Sequence, residues 1–98
     1  MVSKGRKART VRFAVTVPDG VHDVFVAGDF SGWQPVRMTR RAGGRYVRQV
    51  AAPAGPFEYK FLIDGRWLTD PDNPYRAPDP YGGFNSVAAA DADVAGHG

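Results

Sequence analysis

Two tryptophans and a lysine are the residues of this chain with the most distinctive chemistry. Lys60 and Trp67 lie in the β-rich run 57–69, and Trp33 ends a separate glycine-rich segment. An indole ring can pack against the C–H face of a sugar ring, and an ammonium group can donate hydrogen bonds to hydroxyls at its rim. If these side chains are exposed together, they form a platform for a flat, hydroxyl-rich ligand. The alternative is that both tryptophans are buried and only cover a sheet.

A tight turn at Asp64-Gly65 favours exposure of Trp67. Asp-Gly between two β-rich runs indicates a type I′ hairpin, and its two-residue loop makes Leu62 oppose Trp67. Opposed residues share a face, and faces alternate along a strand. The face predicted to be core holds Tyr59, Phe61, Ile63 and Leu68, and the partly polar face holds Glu58, Lys60, Leu62, Trp67 and Thr69. Lys60 and Trp67 are then diagonal neighbours, about 7–8 Å apart.

Two later residues could complete such a surface. Tyr81 offers a third aromatic ring, and the Asn85 amide can both donate and accept hydrogen bonds.

The composition describes one small domain. A chain of 98 residues buries roughly 60–65% of its unfolded surface, which allows one modest core. There is no cysteine, so disulfides, cysteine metal sites and thiol catalysis are excluded. The N-terminal charges are not followed by an apolar run, and no segment reaches membrane-spanning length. We therefore expect no secretory signal, no membrane association and a cytoplasmic location.

The formal net charge of +3 comes mainly from the first nine residues, which contain four basic residues and no acid. The rest of the chain is close to neutral, so a domain-wide nucleic-acid footprint is not indicated. Five arginines surround one turn: Arg37, Arg40, Arg41, Arg45 and Arg48. They could bind an anionic polymer, but solvated arginines on an exposed hairpin explain them better.

Alternating apolar residues and frequent turns predict the elements. We expect a disordered basic arm at 1–9, strands at 10–17, 22–27, 36–39, 46–51 and 84–88, the central hairpin, and a flexible tail at 89–98. Prolines at 71, 74, 78 and 80 argue against regular structure there. No window has the apolar period of a helix, and turns recur every 8–12 residues. The pattern predicts an all-β sandwich over 10–88.

Other motifs suggest weaker alternatives. The segment 28–32 is glycine-rich, but no helix or phosphate-binding lysine follows it, so we interpret it as a turn that positions Trp33. The cluster of Asp70, Asp72 and Asn73 resembles a calcium loop only loosely, because prolines interrupt it and a bidentate glutamate is missing. A turn with aspartate-to-backbone hydrogen bonds is the better interpretation.

Catalytic and metal sites are not predicted. His22 and His97 are too few and too scattered for a metal site, and we expect both at the surface. Glu58 is the single glutamate, and no pair of carboxylates is placed for glycoside hydrolysis. We expect a non-catalytic protein without metal or cofactor.

Three segments together resemble a known family. They are the run 24–33 (VFVAGDFSGW), the run 57–67 (FEYKFLIDGRW), and Asp70-Pro71 followed by Asn85. In order and spacing they resemble the glycogen-binding module of the AMP-activated protein kinase β subunit, and the early-set domains at the N-termini of branching and debranching enzymes. The resemblance covers about residues 10–88.

The resemblance implies an immunoglobulin-like (early-set) antiparallel β-sandwich that binds α-1,4-linked glucans. Trp33 and Trp67 match the family's two stacking tryptophans, Lys60 matches its hydroxyl-binding lysine, and Asn85 matches its asparagine near the last strand. The loop before Asn85 is one residue longer than in the family. Tyr81 is placed where the family has a leucine that threads the glucan, and a tyrosine there would stack instead.

Two other functions remain open from the sequence. One is an early-set interaction or structural module that associates with an α-glucan-metabolising enzyme or a kinase without binding sugar. The other is a nucleic-acid binder that uses the basic arm and exposed aromatics, which the near-neutral body makes the least favoured.

Overall fold

A computed structural model of the chain describes residues 1–5, 9–20 and 22–89. These residues form strands and two short 3₁₀ turns, Asp29–Ser31 and Ala42–Gly44. The strands are β1 (Val2–Lys4), β2 (Thr10–Thr16), β3 (Val24–Gly28), β4 (Val36–Arg37), β5 (Thr39–Arg40), β6 (Arg45–Ala51), β7 (Pro56–Ile63), β8 (Arg66–Leu68), β9 (Arg76–Pro78) and β10 (Phe84–Ala89). Within the described ranges, no helix is long and apolar enough to cross a membrane.

The strands form two antiparallel sheets. One has four strands in the order β1-β2-β6-β5, and the other has the order β4-β3-β7-β10-β9, with β8 paired to the end of β7. The two sheets enclose an aromatic core centred on Phe13, whose ring lies 5.0 Å from Tyr59 and 5.1 Å from Phe30. The predicted all-β antiparallel sandwich is confirmed.

The central hairpin has the predicted register. Leu62 pairs with Trp67, and Ile63 pairs with Arg66. The turn residues Asp64 and Gly65 have φ values of 50° and 81°. Positive φ at both positions is what a type I′ turn requires, and it matches the twist of the flanking strands.

The prediction that Leu68 lies in the core is wrong. Leu68 pairs with Phe61 and shares its face, but Leu68 is 47% exposed whereas Phe61 is fully buried. The reason is that β8 is a three-residue strand whose partner is β7 alone. The core-facing side of the sheet is covered at Phe61 but no longer at Leu68 on the neighbouring strand. The predicted alternation of side chains is correct.

The prediction of a disordered arm over 1–9 is also wrong in its first part. Residues Val2–Lys4 form β1, which pairs with β2 so that Val2 opposes Phe13. Val2 is fully buried in the core. The buried Val2 side chain, the ladder with β2 and an ion pair between the Met1 ammonium and the buried Asp70 (2.6 Å) hold this segment in place despite its charges. The tail predicted at 89–98 begins one residue too early, because Ala89 ends β10. Residues 6–8 and 90–98 lie outside the described residues.

Two proline-rich or short segments also differ from expectation. Residues 36–39 were predicted as one strand, but the chain crosses between the sheets at the buried Met38, so β4 and β5 belong to different sheets. Pro78 was expected to prevent regular structure, yet it ends β9. An edge strand tolerates proline because one side of its backbone needs no ladder partner.

A buried polar cluster lies on the core side of β7 and β10. We call Tyr59, Asp70, Asn73 and Ser86 the inner polar cluster. The Tyr59 hydroxyl donates to Asp70 (2.7 Å) and accepts from Asn73 Nδ2 (3.0 Å), and the Asp70 amide donates to Ser86 Oγ (2.8 Å). Asp70 Oδ1 also accepts from the Asp72 amide. The predicted turn with an aspartate-to-backbone hydrogen bond is therefore present. The polar sequence of this turn did not indicate that Asp70 and Asn73 are buried.

Candidate functional site

An open cleft of about 870 Å³ lies on the face of the six-stranded sheet that points away from the core. Alternation along the strands assigns Lys60 and Glu58 of β7 to this face, because Tyr59 between them is in the core. The cleft is lined by Asp29, Trp33, Glu58, Lys60, Trp67, Pro78, Asp79, Pro80, Tyr81 and Asn85.

A compact turn places Trp33 at the cleft. Gly28 ends β3 against β7, where an added Cβ would clash with the Glu58 carbonyl oxygen. The chain then makes the 3₁₀ turn and closes it with a hydrogen bond from the Trp33 amide to the Gly28 carbonyl (2.9 Å). Gly32 and Trp33 both have positive φ, 60° and 63°. A bulky residue in this region of backbone conformation is uncommon and often marks a functional position.

Asp29 links this turn to the sheet. Its Oδ1 accepts from Trp33 Nε1 (3.1 Å), and its Oδ2 accepts from the Glu58 amide on β7 (2.8 Å). One carboxylate thus fixes the orientation of the indole and ties the turn to the strand that carries Lys60.

Lys60 forms an ion pair within the cleft. Its Nζ donates to Asp79 Oδ2 at 2.6 Å, and both side chains are largely covered, with exposures of 16% and 7%. The hydrogen bond from Lys60, helped by the backbone amides of Gly83 and Tyr81, lowers the pKa of Asp79 to about 2. Because an ammonium group has three donors and this pair uses one, the others can serve a bound hydroxyl.

Asn85 lies beside Glu58 on the neighbouring strand. Asn85 Nδ2 donates to Glu58 Oε1 at 2.9 Å, and Asn85 is 7% exposed. The pair adds an amide and a carboxylate to the floor of the cleft, both able to exchange hydrogen bonds with hydroxyls.

Exposed aromatic rings border the same cleft. Trp67 is 47% exposed on β8, and Tyr81 is 93% exposed on the loop that leads to β10. Exposed rings above fixed hydrogen-bonding groups form a surface on which a sugar ring can stack and be oriented.

Comparison with known proteins now identifies the family. The family described as the glycogen recognition site of AMP-activated protein kinase matches residues 11–95. This chain belongs to that family. The match includes all the strands that build the cleft, whereas β1 precedes it.

The individual relatives that this chain resembles include kinase β subunits. Over 55 residues it is 36% identical to 5′-AMP-activated protein kinase subunit beta-1 of Sus scrofa and 34% identical to that of Homo sapiens. Over 56 residues it is 32% identical to subunit beta-2 of Mus musculus. The matches cover 56–57% of this chain, and 44%, 20% and 21% of those relatives. The chain thus spans less than half the length of each.

The structure brings all the sequence-predicted site residues together. Trp33, Lys60, Trp67, Tyr81 and Asn85 come from separate segments, and every one lines the cleft. Their part in binding stays a prediction. Sequence reasoning missed Asp29 and Asp79 as site residues. Asp29 follows a glycine and Asp79 lies between prolines, so each is explained by an ordinary turn. The sequence does not show that Asp29 binds Trp33 or that Asp79 binds Lys60.

The remaining motifs lie away from the cleft lining. His22 is partly buried rather than freely exposed: its Nδ1 lies 2.6 Å from Asp64 Oδ2, and its Nε2 lies 3.0 Å from the Pro18 carbonyl. These contacts raise the pKa of His22. His97 falls outside the described residues. Asp70, considered for calcium, accepts from the Asp72 amide through Oδ1 and from the Tyr59 hydroxyl through Oδ2, which also pairs with the Met1 ammonium.

Proposed function

We propose that this domain is a non-catalytic module that binds glycogen or a related α-1,4-glucan in the cleft. One observation carries the proposal. Five residues chosen for stacking and hydroxyl binding, scattered from position 33 to position 85, line a single open cleft. Membership of a glycogen-recognition family supports the same ligand.

The charges of the cleft favour a neutral ligand. Its lining has three carboxylates, Asp29, Glu58 and Asp79, against one ammonium group. A phosphate backbone would meet net repulsion there, which argues against nucleic acid. A polyhydroxylated neutral chain meets a mixture of donors and acceptors instead, and the rings supply apolar contact.

The catalytic alternative has little support in this arrangement. Glu58 and Asp79 are engaged with Asn85 and Lys60, respectively. Asp79 stays ionised well below neutral pH, since its pKa is about 2. A general acid for glycoside hydrolysis needs a raised pKa, so Asp79 is unsuited to that task.

A titration tests the proposed function directly. Intrinsic tryptophan fluorescence is followed while maltoheptaose is added, with cellohexaose as the β-linked control. We expect saturable quenching with maltoheptaose in the micromolar-to-millimolar range, which corresponds to about 4–8 kcal/mol. A folded protein that gives a flat response to both sugars would contradict the proposal.

The second candidate function is docking to an α-glucan-metabolising enzyme or a kinase. It is favoured by the exposure of Leu68 (47%) and Phe84 (53%), which alternate with cleft residues and so belong to the opposite face. Exposed apolar side chains of this kind are common at protein interfaces. A cytoplasmic location is part of the same proposal and would be tested by cell fractionation.

A further inference from the structure

Asp79 occupies a central position in the wall of the cleft. It begins a turn, residues 79–83, that carries Tyr81, and we call this turn the Tyr81 loop. The Asp79 side chain is only 7% exposed although the loop around it is at the surface. A covered carboxylate requires hydrogen-bonding partners, because an unpaired one is costly to remove from water.

The first set of partners belongs to the loop itself. Asp79 Oδ1 accepts from the Tyr81 amide (2.8 Å) and from the Gly83 amide (2.9 Å). The Asp79 amide in turn donates to the Gly83 carbonyl at 3.0 Å. Thus one oxygen of Asp79 holds two amides of the segment that presents the Tyr81 ring.

The second partner comes from the sheet. Asp79 Oδ2 accepts from Lys60 Nζ at 2.6 Å. Gly83 leaves the room this contact needs, since an added Cβ there would come 2.9 Å from Oδ2. The Asp79 carboxylate therefore binds the Tyr81 loop through Oδ1 and the Lys60 ammonium through Oδ2.

We propose that Asp79 is a positioning residue for ligand binding, which fixes the Tyr81 loop and Lys60 relative to each other. This inference rests on the proposed function. It adds a residue that stacking and hydroxyl chemistry did not identify. Without Asp79, the Tyr81 ring loses its backbone anchor and the Lys60 ammonium can turn toward solvent, although both residues remain in the sequence.

Two variants distinguish the contribution of Asp79 Oδ1, which binds the loop amides, from that of Oδ2, which binds Lys60. Asp79→Ala removes all three acceptor contacts, and we expect maltoheptaose affinity to fall on the order of tenfold. Asp79→Asn keeps an oxygen for the loop amides and loses the charge partner of Lys60, so its loss should be smaller. Asp72→Ala is the matched control, because Asp72 also follows a proline in an exposed turn but does not line the cleft.

A double-mutant cycle tests whether Asp79 acts through Tyr81. In a Tyr81→Ala background, the effect of Asp79→Ala on affinity should shrink by about threefold or more, since the ring it positions is already absent. Gly83→Ala gives an independent disturbance, because its Cβ displaces the carboxylate while Asp79 remains. We expect weaker binding in this variant too. Fully additive effects in the cycle would overturn the proposal.

Amide hydrogen exchange in the ligand-free protein provides a readout independent of sugar. We expect the Tyr81 and Gly83 amides to exchange about tenfold faster in Asp79→Ala than in wild type, with core amides unchanged. Unchanged exchange at both amides would overturn the anchoring role. If wild type bound no glucan, the proposed function would fail along with the role of Asp79 in binding, while exchange would still decide whether Asp79 anchors the loop.

Discussion

Strands β7 and β10 carry two polar clusters on opposite faces, and the clusters differ in water access. On the core side, Tyr59 and Ser86 belong to the inner polar cluster, where all four members are 1% exposed or less. On the outer side, Lys60 and Asn85 belong to the cleft. The residues alternate along the same two strands, so each strand contributes to both clusters.

The difference lies in how the hydrogen-bonding groups are used. In the inner polar cluster, hydroxyl, carboxylate and amide groups bind one another, and burial beside Asp70 raises the pKa of Tyr59, which keeps it a neutral donor. Among the described residues, no buried side-chain polar atom lacks a partner. In the cleft, paired groups lie beside exposed aromatic rings. Paired burial serves stability, whereas exposure beside fixed polar groups serves recognition.

The inner polar cluster should produce the largest change in stability. Asp70→Ala removes the acceptor of the Tyr59 hydroxyl and of the Asp72 amide, and it removes the ion-pair partner of the Met1 ammonium. We expect the free energy of unfolding to fall by about 3 kcal/mol, because a buried hydroxyl left without its acceptor costs about 1–3 kcal/mol and the other lost contacts add to this. Denaturant unfolding measures this change, with Asp72→Ala as the exposed control. Equal stability of the two variants would contradict a structural role for the cluster.

Substitutions on the outer face should instead weaken glucan binding and leave stability largely unchanged. Trp67→Ala should lose about 1–3 kcal/mol of glucan binding, by analogy with base stacking on aromatic side chains, and should keep its fold. Leu68→Ala is the matched control, because Leu68 is the next residue, is equally exposed at 47%, and lies on the other face. Fluorescence from Trp33 reports both titrations. Equal losses of affinity in the two variants would contradict glucan binding on the cleft face.

The smallest expected effect is a pH dependence of stability. It should come from the His22–Asp64 ion pair and leave the Lys60–Asp79 ion pair of the cleft unchanged. His22 has a pKa raised from 6.5, chiefly by Asp64. The stability it contributes is therefore complete below that value and is lost as pH rises through the raised pKa. Asp64 has a pKa lowered from 3.8, chiefly by His22. Its contribution is present above that value and is lost as the pH falls through the lowered pKa.

Thermal unfolding at about pH 6 and about pH 9 measures the effect of His22, and the His22→Gln variant should show a smaller decrease. Glucan affinity should stay constant over this range, because Asp79 has a pKa of about 2 and keeps its charge. Affinity that follows the titration of His22 would show that the His22–Asp64 ion pair is not independent of the cleft.

The hairpin was the best predicted part of the fold, because Asp64-Gly65 determines both the turn type and the register. From that register follow the shared face of Lys60 and Trp67 and the burial of Tyr59 and Phe61. Leu68 shows the limit of this reasoning, since alternation assigns a face but does not say where the opposite sheet ends.

Long-range pairing was the part that the sequence did not reveal. Val2 is buried because β1 pairs with β2, and Asp79 belongs to the cleft because Lys60 reaches it from another strand. Both segments have local sequences typical of surface loops, one rich in charges and one in prolines. Their structural roles depend on partners far along the chain, which local pattern cannot supply.

One measurement tests the central claim that the outer face of β7 and β10 binds glucan. Two-dimensional ¹H–¹⁵N NMR spectra are recorded during a titration with β-cyclodextrin. The account predicts saturable shifts of the Trp33 and Trp67 indole Nε1–H signals and of the Asn85 side-chain amide, while the amides of Tyr59 and Asn73 shift little. Shifts confined to the surface around Leu68 and Phe84, or no shifts at all, would contradict it.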